Sequence, residues 1–159
     1  MPEVTLTDGS PVPEDGSHTK LKANGQQEGY VVLSAEERHK GFVRPMRYAY
    51  VHVGMPQPKN LRDLTADEVE RFSKYDYAKF EVYPPERSPI TGRFWTNKEL
   101  AKISKGCGVT TTMSQELAET YARMPGFYSG TFCAGCGVHL PVGENGEFVW
   151  ANTNERVGT

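Results

Sequence analysis

Two cysteines separated by two residues, in the run Gly130-Thr-Phe-Cys-Ala-Gly-Cys-Gly137, constrain this chain more than any other feature. Two thiolates at this spacing can grip one metal ion from a tight turn. A glycine after the second cysteine lets the backbone fold beneath the sulfurs and turn amide N–H groups towards them. The chain has 3 cysteines, and the remaining one, Cys107, is also followed by glycine. Three sulfurs in this arrangement point to zinc ligands rather than to disulfides. An odd count without a secretion signal also points to a reducing compartment.

A metal staple suits the rest of the composition. The chain has 159 residues, among them 16 Gly and 11 Pro, and a mean hydropathy of -0.58. Regular elements should therefore be short and broken by turns, around a core small enough for a bound ion to matter. The formal net charge of -2 gives no overall drive towards nucleic acid or an anionic membrane. No apolar run approaches the roughly 20 residues that span a bilayer. The opening stretch has neither the basic start nor the apolar segment of a signal peptide. The expectation is a soluble intracellular protein without a membrane partner.

Residues 1–29 are polar and rich in turn formers, including Asp8-Gly9, Asp15-Gly16 and Asn24-Gly25. They read as an extended N-terminal arm. Residues 30–159 read as one α+β domain. Three sequences carry the capping pattern of a helix start: Ser34 with Glu37, Thr65 with Glu68, and Thr96 with Glu99. They predict helices over 35–40, 66–74 and 97–104. Ser114 opens a fourth, running to about Arg123, with Leu117, Ala118, Tyr121 and Ala122 on its buried side. Strands are expected over 48–53, with Tyr48, Tyr50 and His52 on one face, and over 77–83 and 109–113. Two more, at 140–142 and 147–150, should flank the Glu144-Asn-Gly146 turn.

Structural zinc is four-coordinate. Cys107, Cys133 and Cys136 leave one position to fill. His18 lies in the polar arm and His39 in an exposed helix, so the choice is between His52 and His139. His139 completes Cys133-x-x-Cys136-x-x-His139, which puts three ligands on one short knuckle. His52 ends a strand that can lie beside the strand after Cys107. If the roughly 50 residues between them form an insertion, His52 and Cys107 make a first knuckle facing the Cys133/Cys136 knuckle, as in a zinc ribbon.

A catalytic zinc keeps an open position and has an acid or base nearby. Neither His52 nor His139 is followed two residues later by Glu, and the sequence before Cys133 is not that of a zinc deaminase. Three thiolates also make the ion a weak Lewis acid. The expected role is structural, with no catalytic residues.

Two other features stand out. Arg38, Lys40, Arg44 and Arg47 are interleaved with Phe42, Tyr48 and Tyr50, a mixture that can track a phosphate backbone and stack bases. Basic stretches are more often solvated edges or ion-paired. Tyr75, Tyr77, Phe80, Tyr83, Phe94 and Trp95 crowd the proposed insertion, where they are best read as its own small core.

The chain resembles a group of uncharacterised small zinc-binding proteins of tailed bacteriophages and prophages. The resemblance is carried by Gly106-Cys-Gly108, Thr111-Thr-Met113, Ala118-Glu-Thr-Tyr-Ala-Arg123, Pro125 and Phe127-Tyr128. It continues through Gly130-Thr-Phe-Cys133, Cys136, His139, Pro141-Val142, Phe148-Val-Trp150 and Val157-Gly158. Leu33-Ser34, Glu36-Glu-Arg38 and Lys40-Gly-Phe-Val-Arg-Pro45 extend it over most of 30–159. It implies phage origin and zinc, and it assigns no reaction. Some members lack the segment between the His and the Cys-Gly, which supports pairing His52 with Cys107.

The expectation is thus a small zinc-ribbon-like antiparallel β core with short helices, an insertion at about 54–106 and an extended arm. Zn2+ is structural, held by Cys107, Cys133 and Cys136 with His52 or His139. The expected role is non-catalytic assembly or protein interaction. Its partner would be a phage capsid or other virion subunit, in the host bacterial cytoplasm during infection or in the virion. A nucleic-acid-associated zinc protein is the alternative.

Overall fold

The computed structural model describes residues 2–159. The chain is mixed α and β, built from short helices and small antiparallel sheets. No helix among the described residues is long and apolar enough to cross a membrane. The chain divides into two compact units, one of Met1–Val53 with Gly106–Thr159, the other of Gly54–Lys105.

The first unit holds most of the buried side chains. Residues expected to form an extended arm instead fold back on it. Strand β1 (Val4–Leu6) pairs antiparallel with β2 (Val31–Leu33), setting Val4 opposite Leu33. An isolated bridge between Leu21 and Gln27 closes a loop between them. The physical reason is the apolar run at 31–33: Val32 and Leu33 are fully buried, and β1 satisfies one edge of their backbone. Helix α1 (Ala35–Arg38) follows at once, with Ser34 accepting the Glu37 amide N–H. The reciprocal half of that capping box is missing because the Glu37 carboxylate pairs with Lys40.

The central sheet of this unit runs β10–β3–β7, from β3 (Ala49–His52), β7 (Thr110–Thr112) and β10 (Phe148–Trp150). Tyr50 faces Thr111 on one side and Trp150 on the other. The period-2 alternation of a strand puts Tyr50 and His52 on the same face, and both are buried. Tyr50 meets Phe148 and Trp150 edge to face, with ring centroids 5.2 and 6.3 Å apart. Tyr121, Cys133 and Val157 complete this core. Helix α4 (Gln115–Arg123), capped by Ser114, contributes Tyr121 and packs its buried side on β2. Fully burying one such aromatic contributes roughly 2–3 kcal/mol, so a core this small leaves much of the folding free energy to be found elsewhere.

Strand β8 (Gly130–Cys133) pairs with β9 (Val138–Pro141). This corrects the expected pairing of 140–142 with 147–150. The cysteine turn between β8 and β9 is itself the hairpin, and β10 is drawn to β3 by the Tyr50, Phe148 and Trp150 rings.

The second unit has its own three-stranded sheet, ordered β4 (Leu61–Asp63), β5 (Tyr77–Val82), β6 (Gly92–Thr96). Helices α2 (Ala66–Arg71) and α3 (Asn97–Leu100) carry complete capping boxes at Thr65/Glu68 and Thr96/Glu99. Both stop short of their expected ends. The rings of Phe72, Tyr77, Phe80 and Phe94 contact one another, yet Trp95 is the one buried hydrophobic side chain among the described residues of this unit. Val69, Tyr75, Val82 and Ile90 are exposed.

Candidate metal centre

His52, Cys107, Cys133 and Cys136 converge in the first unit, with all four donor atoms within 4.8 Å of one another. Cys107 Sγ lies 3.4 Å from Cys133 Sγ, and Cys136 Sγ lies 3.5 Å from His52 Nδ1. Sulfurs bound to one tetrahedral zinc at about 2.3 Å stand about 3.8 Å apart. The donors are therefore spaced to share a single ion. Three thiols and an imidazole are also the donor types that structural zinc prefers.

Each donor is delivered by local geometry. His52 ends β3, and its carbonyl accepts the Gly108 N–H at 3.0 Å, which draws the Cys107 turn onto it. Cys133 ends β8, and its carbonyl accepts the Gly137 N–H at 2.8 Å, which closes the second turn. Gly108 and Gly137 have φ of 73° and 70°, in the left-handed region that side chains other than glycine avoid. The Ala134 N–H donates to Thr111 Oγ1 at 2.9 Å and ties the second turn to β7. His52 and Cys133 are buried, while Cys107 and Cys136 lie at the surface.

The thiols differ electrostatically. The Val109 backbone N–H holds Cys107 down to about 7. Burial, followed by the neighbouring sulfurs, pushes Cys136 up to about 11. Burial also pulls the His52 imidazole down, but hydrogen bonds to Glu147 and Cys107 outweigh it and leave its pKa raised. The proton that burial keeps on Cys136 is one that a divalent ion would displace on binding.

His139, the other candidate for the fourth position, lies outside this group. It stands opposite Phe132 in the β8–β9 register, so the pleat directs its side chain away from the face carrying Cys133. Its Nε2 lies 2.8 Å from the Tyr30 hydroxyl, which also accepts the Gln27 N–H at 3.2 Å. His139 thus ties the folded-back N-terminal segment to the β8–β9 hairpin.

Sequence reasoning missed Glu147. Its Oε1 lies 2.9 Å from His52 Nε2, on the side of the ring away from the sulfurs, and the residue is buried. Nothing local marks it, since it simply opens a strand 95 positions from its partner.

The basic stretch does not form a free cationic surface. Arg38 pairs with Glu119 and Lys40 with Glu37. Arg44 donates to the Thr159 carbonyl at 3.2 Å. Arg47 pairs with Glu155 at 2.6 Å and stacks over Trp150.

Comparison of the chain with protein-family models, curated proteins and solved structures finds no match.

Proposed function

We propose that this is a non-catalytic phage protein, stapled by one structural Zn2+, that serves as an assembly or protein-interaction module of the virion. The observation that carries the reading is the closed set of four donors, His52, Cys107, Cys133 and Cys136. A hydrolytic zinc needs a position left for water and an acid or base beside it. Four protein donors would fill a tetrahedral shell, and the adjacent carboxylate, Glu147, lies at His52 Nε2, on the far side of the ring from the sulfurs. The two turns facing each other, His52 with Cys107 and Cys133 with Cys136, read as a zinc-ribbon-like pair of knuckles.

Magnitudes favour a staple. Structural zinc contributes roughly 10–16 kcal/mol of apparent binding free energy in small zinc domains. Domains of this kind have net stabilities of about 5–15 kcal/mol. Elemental analysis of the purified chain should find one zinc per molecule. Adding a strong chelator should lower the melting temperature by at least about 15 °C, the shift expected from losing several kcal/mol. A zinc-free protein whose melt ignores the chelator would overturn the staple.

The interaction half of the proposal rests on Gly54–Lys105 and on the phage resemblance. With Val69, Tyr75, Val82 and Ile90 exposed and so little buried, this unit presents apolar surface of the kind that partners cover. The internal pairing of Arg38, Lys40, Arg44 and Arg47 speaks against the nucleic-acid alternative. Mass spectrometry of purified virions of the source phage should detect the chain at a stoichiometric level. Its absence from virions would sink the assembly role.

A further inference from the structure

We propose that Glu147 is the positioning residue that locks His52 for metal binding and thereby sets how tightly the ion is held. This rests on the reading of the four donors as a zinc site. One group at the site has a role fixed by its chemistry. The Cys107 backbone N–H can only donate, and it points at His52 Nδ1 from 3.2 Å. Nδ1 therefore carries a lone pair, and the single proton of the neutral ring lies on Nε2. That N–H has one partner, Glu147 Oε1 at 2.9 Å. The carboxylate accepts it and selects the tautomer that leaves Nδ1 unprotonated, 3.5 Å from Cys136 Sγ, so that a bound ion could take this lone pair in place of the Cys107 N–H.

The backbone that carries this carboxylate is held on both sides. The Glu147 N–H donates to the Pro141 carbonyl at 2.9 Å, and its own carbonyl accepts the Val53 N–H at 3.0 Å. Phe148 stands directly opposite His52 in the β10–β3 register, and its ring lies 5.2 Å from the imidazole. The imidazole is thus flanked by a ring on β10 and by the carboxylate of a residue whose backbone is bonded on both sides. Burying a carboxylate costs more than burying an apolar group of its size. What Glu147 contributes in return is this one contact. Partners behind a ligating histidine typically change metal affinity 10–100-fold by fixing the ring and raising its basicity.

The test uses the full zinc-loaded chain, with affinity measured by competition against a metallochromic chelator. Glu147→Gln keeps the size and an acceptor oxygen but removes the charge; zinc should be held about 10-fold more weakly. Glu147→Ala removes the acceptor altogether, and the loss should approach 100-fold. In both variants the His52 Nε2 proton, seen by NMR in the zinc-loaded protein, should move upfield from its carboxylate-bonded position. Tyr128→Phe is the control for mere loosening of the fold. It deletes the Tyr128 hydroxyl bond to the Val31 carbonyl, and should lower the melting temperature while leaving zinc affinity at the wild-type value.

Wild-type zinc affinity in Glu147→Gln would overturn the role of Glu147 while leaving the zinc site standing. A Tyr128→Phe variant that loses zinc as readily as Glu147→Gln would overturn it too, by assigning the effect to global stability. A wild-type chain that binds no zinc would instead remove the premise. If Glu147→Ala does not fold, Glu147→Gln decides alone.

Discussion

At the scale of single residues, the two histidines on which the sequence left a choice do different work. His52 Nδ1 faces the sulfurs, whereas His139 Nε2 faces Tyr30. His52→Ala should abolish stoichiometric zinc and collapse the chelator-sensitive part of the melt. His139→Ala should keep one zinc per chain and cost about 1 kcal/mol, the usual net value of one hydrogen bond. Elemental analysis with thermal melts of both variants checks the pair, and zinc loss from His139→Ala alone would reverse the assignment. The cysteines were readable because their constraint is local: two residues of spacing and a following glycine define a turn wherever the chain goes. Glu147 was unreadable because its role depends on β10 lying beside β3, and nothing in a short window encodes that register. The same holds for His139, whose direction is set by standing opposite Phe132, while Val138 takes the place opposite Cys133.

At the scale of elements, helix starts were legible and strand partners were not. Ser34, Thr65, Thr96 and Ser114 all cap the helices they were expected to open. A capping side chain needs only a backbone N–H three residues on, so its signal is complete within one turn. Helix ends were less clear. α3 stops at Leu100, and Ser104 at φ 54° already belongs to a turn whose N–H donates to the Met55 carbonyl at 2.8 Å. Pairing is a property of two distant segments. The turn formers of residues 1–29 do make turns, as at Asp8-Gly9 and Asn24-Gly25, but β2 offers an open edge that β1 fills. Once β1 is placed, the Ser34 N–H reaches the Glu3 carbonyl at 2.9 Å. A segment that polar composition reads as an extended arm is then held to its own chain by backbone bonds that composition does not register.

At the scale of the whole chain, the candidate metal site and the Gly54–Lys105 unit are built from separate residues. The chain leaves the first unit at Val53 and re-enters it at Gly106, and those points are neighbours. A Cβ on Gly106 would lie 2.1 Å from the His52 carbonyl oxygen, so only glycine admits the chain this close. The second unit closes its own neck: Met55 bridges Ile103, and the Met55 N–H donates to the Lys102 carbonyl at 3.2 Å. All four metal donors, Glu147 and the Tyr50 core belong to the first unit. Excising residues 54–105 and joining Val53 to Gly106 through two glycines should therefore leave a protein that still binds one zinc. The first knuckle should even be easier to form, because the loop closed between His52 and Cys107 shrinks from over fifty residues to a few, a gain of about 2 kcal/mol in closure entropy. The excised chain should melt cooperatively, respond to chelator as the full chain does, and lose whatever partner contact the second unit makes. Elemental analysis and a chelator melt of this variant provide the check. A shortened chain that cannot hold zinc would mean that the two knuckles need the unit between them, and that the metal site does not stand on the first unit alone.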